Sequence, residues 1–221
     1  MTQPHHRLTG TTDEAETFWE NLYHEQRDNQ AVWGTRVNPR LVEVATSIPA
    51  GTALDLACGA GGDTIWLARH GWRVTAVDIA TTAVEQVLAR AQDLGLGDRV
   101  TTEQHDLARS FPNATFDLVS AQYFHTPFAV PRAQILRAAA EALRPGGRLL
   151  VVDHGSIAPW SWNQDPGTRF PTPTEVHIEL DLAPSTWTIE RADTPRREAA
   201  GPDGQRATVT DHILLIRRTS H

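Results

Sequence analysis

Asp55 and Asp78 bracket a bend holding Gly59, Gly61 and Gly62, within "TALDLACGAGGDTIWLARHGWRVTAVDIA" from Thr52 to Ala80. Glycines between an apolar strand and a helix let the backbone turn sharply and come close to a ligand. Backbone N–H groups there, aided by the following helix N-terminus, suit an anionic group such as a carboxylate. A nucleotide is the usual occupant of such a bend. Asp55 narrows the choice, because a carboxylate at the strand end repels a pyrophosphate. It suits a ligand with an ammonium group and no phosphate. A second cluster of reactive types follows in "AQYFHTP" and "VVDHG", which supply Tyr123, His125 and His154. Imidazoles titrate near neutral pH and can take a proton from a nucleophile.

These residues need a frame, and the chain offers one. "TDEAETFWENLYHEQ" puts Phe18, Trp19, Leu22 and Tyr23 at helical spacing, with Thr12 or Asp13 as N-cap. A second helix follows Pro39. From Thr52 apolar runs alternate with helical patterns: strands at "TALDLAC", "WRVTAVDI", "RVTTEQHDL", "TFDLVSAQYF" and "RLLVVDHG", with helices between most of them. That alternation predicts βαβ units in an α/β, doubly wound, mostly parallel Rossmann-like sheet. Two more strands, "STWTIERADTPRREAA" and "QRATVTDHILLIRRT", joined by the turn "GPDG", predict an antiparallel pair at the far end. The expectation is seven strands, the last antiparallel, with residues 1–48 as an N-terminal helical cap and 49–221 as the ligand-binding domain. Residues 155–173 carry prolines, glycines and tryptophans without periodicity and read as a substrate loop.

"LDLACGAGGDTIWLARHGWRVTAVDIA", "HDL", "FDLVSAQYFHTP" and "LRPGGRLLVVDHG" resemble the successive motifs of class I S-adenosylmethionine (SAM)-dependent methyltransferases. With "VWGTRVNPRLVEVA" upstream and the paired strands downstream, the chain resembles the small tellurite-resistance and thiopurine-type bacterial enzymes. The resemblance implies SAM as cofactor. It places Gly59 and Gly61 at the methionine carboxylate, with Asp55 orienting the bend or facing the ammonium through water. Asp78 would accept from the ribose hydroxyls, Ile79 pack on adenine, Asp106 accept from the adenine amino group, and Leu107 offer a backbone N–H. Gln122 or Ala121 would lie under the methionine part, and Trp33 would cover the methyl end. Ala57 stands where the family usually has glycine, which is tolerable if its φ is negative. The methyl group would point to the ends of the fourth and fifth strands, making Tyr123, His125 and His154 the acceptor-facing candidates, with Phe124, Trp160 and Trp162 nearby.

The bulk numbers set the remaining bounds. A chain of 221 residues suffices for one domain with a core. The net charge of −7 is spread along the chain, so nothing argues for a nucleic-acid or membrane partner; the resemblance implies a small-molecule substrate. No apolar run is long enough to span a membrane, and the N-terminus is polar, so a cytoplasmic protein is expected. Cys58 is the sole cysteine, which excludes an intrachain disulfide and argues against a thiolate metal site; His5 and His6 alone make a poor one, so no metal is expected. Two other functions fit the same motifs less fully: a non-catalytic SAM-binding protein, and an NAD-dependent oxidoreductase, against which Asp55 and the glycine spacing argue.

Overall fold

A computed structural model describes residues 12–28, 34–161, 163–201 and 204–219. The elements run α1 (Thr12–Asp28), α2 (Pro39–Ala45), β1 (Thr52–Leu56), α3 (Gly62–Arg69), β2 (Arg73–Asp78), α4 (Thr81–Asp93), β3 (Val100–Gln104), β4 (Phe116–Gln122), α5 (Arg132–Glu141), β5 (Leu143–His154), α6 (Pro173–Leu180), β6 (Trp187–Asp193), β7 (Arg196–Ala200) and β8 (Arg206–Arg218). Strand order is β3-β2-β1-β4-β5-β8-β6, with β7 added on β8. β1 to β5 pair in parallel. β8 is antiparallel to β5, β6 and β7. The order reverses between β1 and β4, so loops after these strands open a crevice at their carboxyl ends.

The sheet is apolar on both faces, as parallel strands covered by helices must be. Alternation along β1 shows how: Ala53 joins one core with Trp72, Val74 and Leu118, while Leu54 and Leu56 join the other with Phe116, Val119 and Leu136. Tyr23, Ala80 and Ala83 form a small third cluster, with Trp19 packed on it, where α1 lies on α4. Among the described residues no helix is long and apolar enough to cross a membrane.

Three details depart from the sequence expectation. The run from Trp187 to Ala200 is two strands rather than one, which makes eight in all. The break falls at Thr194–Pro195, where the proline has no N–H for the ladder. Its carbonyl instead accepts from Asp211 N at 3.0 Å. β5 begins at Leu143, ahead of the Pro-Gly-Gly turn, because Leu143 already pairs with Phe116 before the register shifts. Ala57 has φ of +57°, so the favourable case of a negative φ is not met. The left-handed conformation costs a residue with a Cβ roughly 1–2 kcal/mol.

α2 is tied to the sheet by charge. Arg40, which is buried, donates from Nε to Asp211 Oδ2 at 2.9 Å. Asp211 on β8 is also buried and accepts from Arg197 Nε at 2.8 Å. Removing one partner of such a network leaves uncompensated charge in low dielectric. Asp211→Ala should therefore lower unfolding stability by about 3–5 kcal/mol in urea denaturation; a loss below about 1 kcal/mol would show the pair to be energetically idle. Ala57→Gly should do the opposite. Relief of the left-handed strain, less the added chain entropy of glycine, predicts a gain of up to about 1 kcal/mol in the same assay. A loss would mean that the alanine methyl is packed well enough to outweigh the strain.

Candidate active site

The bend after β1 is locked from below. Asp55 is buried and accepts from Thr64 Oγ1 at 2.5 Å, drawing the first turn of α3 against the strand. Asp63 Oδ1 accepts from Asn38 N at 2.7 Å and fixes the approach to α2. Burial, with the charge of neighbouring carboxylates, pushes Asp55 up to about 6 and Asp63 up to about 8. The charge of Asp55 bears on Asp63 and that of Asp78 on Asp55, which raises the cost of ionising them together. Gly59 and Gly61 have φ of +52° and +72°. A Cβ at Gly61 would stand 2.5 Å from Val87 Cγ2, and one at Gly62 would stand 2.5 Å from the Arg36 carbonyl oxygen. Part of the glycine requirement is thus close packing of α4 and of the 34–36 segment onto the bend.

Asp78, at the end of β2, ties two loops together. Its Oδ2 accepts from Gly59 N at 3.0 Å and its Oδ1 from Ala80 N at 3.1 Å. The carboxyl is buried, and burial holds its pKa above the usual carboxylate range. Over it lies α1. The Tyr23 hydroxyl sits 3.0 Å from where a Gly59 Cβ would be, and burial beside Asp78 pushes the phenol far up. Glu20 accepts from Thr82 N at 3.2 Å and from the Thr82 hydroxyl, pinning α1 to the start of α4. Sequence analysis placed Tyr23 on a helix and not in the site; its place there follows only from where α1 docks.

Two further positions carry an unmet need. Asp106 Oδ1 accepts from Ala108 N at 3.0 Å, but its Oδ2 is buried without a hydrogen bond, Arg109 Nε standing 3.4 Å away. Gln122 donates from Nε2 to Ser120 Oγ at 2.8 Å, and its Oε1 is likewise buried without a partner. A buried acceptor left unpaired costs about 1–3 kcal/mol. Both lie where donor groups of an adenosine with an amino-acid tail are expected, one after β3 and one at the end of β4. The acceptors fit SAM, one for an amino group and one for an ammonium, while the N–H groups of Gly59, Gly61 and Gly62 are taken by Asp78 Oδ2 and the carbonyls of Cys58 and Gly34. Ile79 flanks Asp78 and its carbonyl accepts from Gln104 Nε2 at 2.9 Å. Leu107 packs on the second core. Trp33 lies outside the described residues, as do Trp162, His5 and His6.

The acceptor-facing candidates do come together. Tyr123 and His154 stack at 4.2 Å with ring planes 12° apart, and His125 follows at 5.8 Å and 20°. Phe170, from the 155–173 segment, meets both imidazoles edge-on. Tyr123 adopts φ of +51° and is held by its hydroxyl, which donates to Asp211 Oδ1 and accepts from Arg197 Nη2, each at 3.0 Å. Burial pushes the phenol up to about 12, so it stays protonated. His154 is exposed at its edge, but its stacked faces are shielded and His125 adds a like charge; together these lower it to about 4. Asp153 is buried between Arg132 Nη2, 2.7 Å from each oxygen, and His125 Nε2, 3.2 Å from Oδ1. Phe124 points away into the second core. Trp160 packs at Gly201, where a Cβ would meet its ring at 2.7 Å. Sequence analysis missed Asp153, Arg132, Asp211 and Arg197; the two aspartates each neighbour a histidine in sequence, which was the only local signal.

Residues 53–147 match the methyltransferase domain family. The chain is 33% identical over 150 residues to 27-O-demethylrifamycin SV methyltransferase of Amycolatopsis mediterranei, spanning 64% of this chain and 54% of that protein. It is 36% identical over 182 residues to the S-adenosyl-L-methionine-dependent Diels-Alderase iccD of Talaromyces variabilis, spanning 78% of this chain and 60% of that protein. The chain therefore spans between half and two thirds of the length of these relatives. In fold it is similar to the N-methyltransferase NodS of Bradyrhizobium japonicum, solved with S-adenosyl-l-homocysteine (SAH), at a TM-score of 0.63 and 15% identity over 91% of this chain and 99% of that one. The motif order, the parallel sheet and the matched domain agree with one another, and the chain carries a class I SAM-dependent methyltransferase domain on a Rossmann-like fold.

Proposed function

We propose that the protein transfers a methyl group from SAM to a small-molecule acceptor held between the ends of β4 and β5 and the 155–173 segment. The observation that carries this reading is the pair of buried acceptors without a hydrogen bond, Gln122 Oε1 and Asp106 Oδ2, the latter with only the Arg109 ion pair at 3.4 Å, at the ends of strands to either side of the Asp78-locked bend. SAM supplies an electrophilic methyl on a positively charged sulfur, so the protein's task is positioning and exclusion of water. In this reading the bend at Gly59 and Gly61 lies beneath the methionine part, its N–H groups being engaged with Asp78 Oδ2 and the Cys58 carbonyl. Asp78 accepts from the ribose, Ile79 and Leu107 flank the adenine, and Asp106 accepts its amino group. Asp55 orients the bend through Thr64, Ala57 sets its direction, and a helical cap forms the cover. Residues 1–48 form that cover, with Tyr23 and Glu20 of α1 as its described anchors, and 49–221 form the binding domain.

The acceptor end is aromatic: Tyr123, His154, His125 and Phe170 form one continuous wall. Such a wall suits a compact, partly apolar molecule and gives no footing to a phosphate backbone. The net charge of −7 points the same way, since nucleic-acid acceptors call for basic faces. The Diels-Alderase relative supports a second reading, in which SAM is bound and no methyl group is transferred. Release of SAH during incubation with labelled SAM and a metabolite extract separates the two.

Calorimetry with SAH tests the cofactor reading. The wild type should bind, and Asp78→Ala should weaken binding by roughly 1.5–3 kcal/mol through lost charge-assisted bonds. Equal affinity would move the ribose away from Asp78. The low-lying His154 gives a pH test. Its folded value, about 4, lies below the ordinary 6.5, so the unfolded chain takes up the proton first as pH falls. Stability is thereby lost between the two values on acidification. The melting temperature of His154→Gln should fall less than that of the wild type across this window; parallel curves would show that His154 titrates normally.

A further inference from the structure

We infer that His125 is the catalytic base, that Asp153 is its positioning residue, and that the acceptor presents a protonated hydroxyl. The inference rests on the methyl-transfer reading and deepens it. Three side chains at the acceptor end could take a proton, and their surroundings separate them. The Tyr123 hydroxyl is already spent, donating to Asp211 and accepting from Arg197. His154 is stacked beside His125 and makes no ion pair among the described residues; Asp153 and Asp211 favour its imidazolium less than burial and His125 disfavour it. Of the two imidazoles, His125 is the one that faces a buried carboxylate within ion-pair distance among the described residues. Its Nε2 is buried and 3.2 Å from Asp153 Oδ1. The pair is within ion-pair reach but off the line of an aligned hydrogen bond. We read it as one that tightens when substrate is bound, because both atoms are buried and no other group meets Nε2 among the described residues. Asp153 is in turn fixed by Arg132, which grips both of its oxygens and donates from Nε to the Phe124 carbonyl at 3.2 Å.

The chain Arg132–Asp153–His125 sets the imidazole tautomer. A carboxylate facing Nε2 keeps the hydrogen on that nitrogen, which leaves the lone pair on Nδ1 for the acceptor. The acceptor O–H bond breaks and its proton passes to Nδ1. The acceptor oxygen uses the freed electron pair to form the O–CH3 bond while the S–CH3 bond breaks. That bond's electron pair returns to sulfur, which becomes a neutral thioether, and the imidazolium is balanced by Asp153. A thiolate or an oxyanion would arrive ready to react and would gain nothing from this arrangement, whereas a neutral hydroxyl would.

The test is the tautomer of His125 in the full chain labelled with 15N-histidine, with SAH added, at about pH 8 where imidazoles are neutral. Long-range 1H–15N correlation distinguishes the two forms, and His125→Gln assigns the resonance. The wild type should show the hydrogen on Nε2. In Asp153→Asn, Arg132 should keep the amide oxygen and turn the NH2 toward Nε2, so the hydrogen should move to Nδ1. A wild-type hydrogen on Nδ1, or an Asn variant unchanged from wild type, would overturn the inference. If the variant does not fold, the wild-type spectrum alone decides. SAH calorimetry on the same wild-type sample keeps the two readings apart: binding with the wrong tautomer refutes the base alone, and absence of binding refutes the methyltransferase reading.

Discussion

A carboxylate bridging two loops governs the architecture of this site. Asp78 accepts from Gly59 N on one side and Ala80 N on the other, so the turn after β1 and the start of α4 cannot move independently. Charge-assisted bonds to backbone N–H groups are strong, and stronger in a buried setting. Asp55 applies the same device one layer down, through Thr64. Only with both in place does the chain hold a bend containing a left-handed alanine, two left-handed glycines and a buried cysteine. The acids that read in the sequence as ligand contacts are first of all the rivets of the bend.

That order of causes explains why α1 belongs to the site. The helix has few apolar positions facing the core, yet Tyr23 is buried because it lands on the bend that Asp78 sets. Glu20 and Thr82 fix its height. The opposite end of the crevice follows a parallel logic. Asp211 on β8 gathers Arg40, Arg197 and Tyr123, and so joins α2, β7 and the end of β4 at one buried point. Asp153 on β5 gathers Arg132 and His125. Each half of the crevice is organised around buried aspartates whose partners come from distant parts of the chain.

The difference between local and distant partners also decides what was legible in the sequence. Strand and helix alternation, the glycine bend and the acids at strand ends are local patterns, and the five parallel strands appear where those patterns put them. Asp106 and Gln122 could be marked because one lies just past β3 and the other ends β4. The Thr194–Pro195 break lay in plain view, but a single proline in a long polar strand gives no hint that both halves pair with β8. Arg197 and Asp211 meet across the β7–β8 hairpin, and Asp153 meets Arg132 across 21 residues of chain. No periodicity announces such pairs. Ala57 is tolerable on the condition of a negative φ, and no local pattern tells that the bend takes it to +57°.

A crystal structure of the protein with SAH bound tests the central claim most directly. The account predicts the ribose hydroxyls on Asp78, the adenine amino group within hydrogen-bond reach of Asp106 Oδ2, and the amino-acid tail over the bend beside Gln122 Oε1. Density for the ligand elsewhere, or a bound ligand that makes no hydrogen bond to Asp106 Oδ2 or Gln122 Oε1, would contradict it.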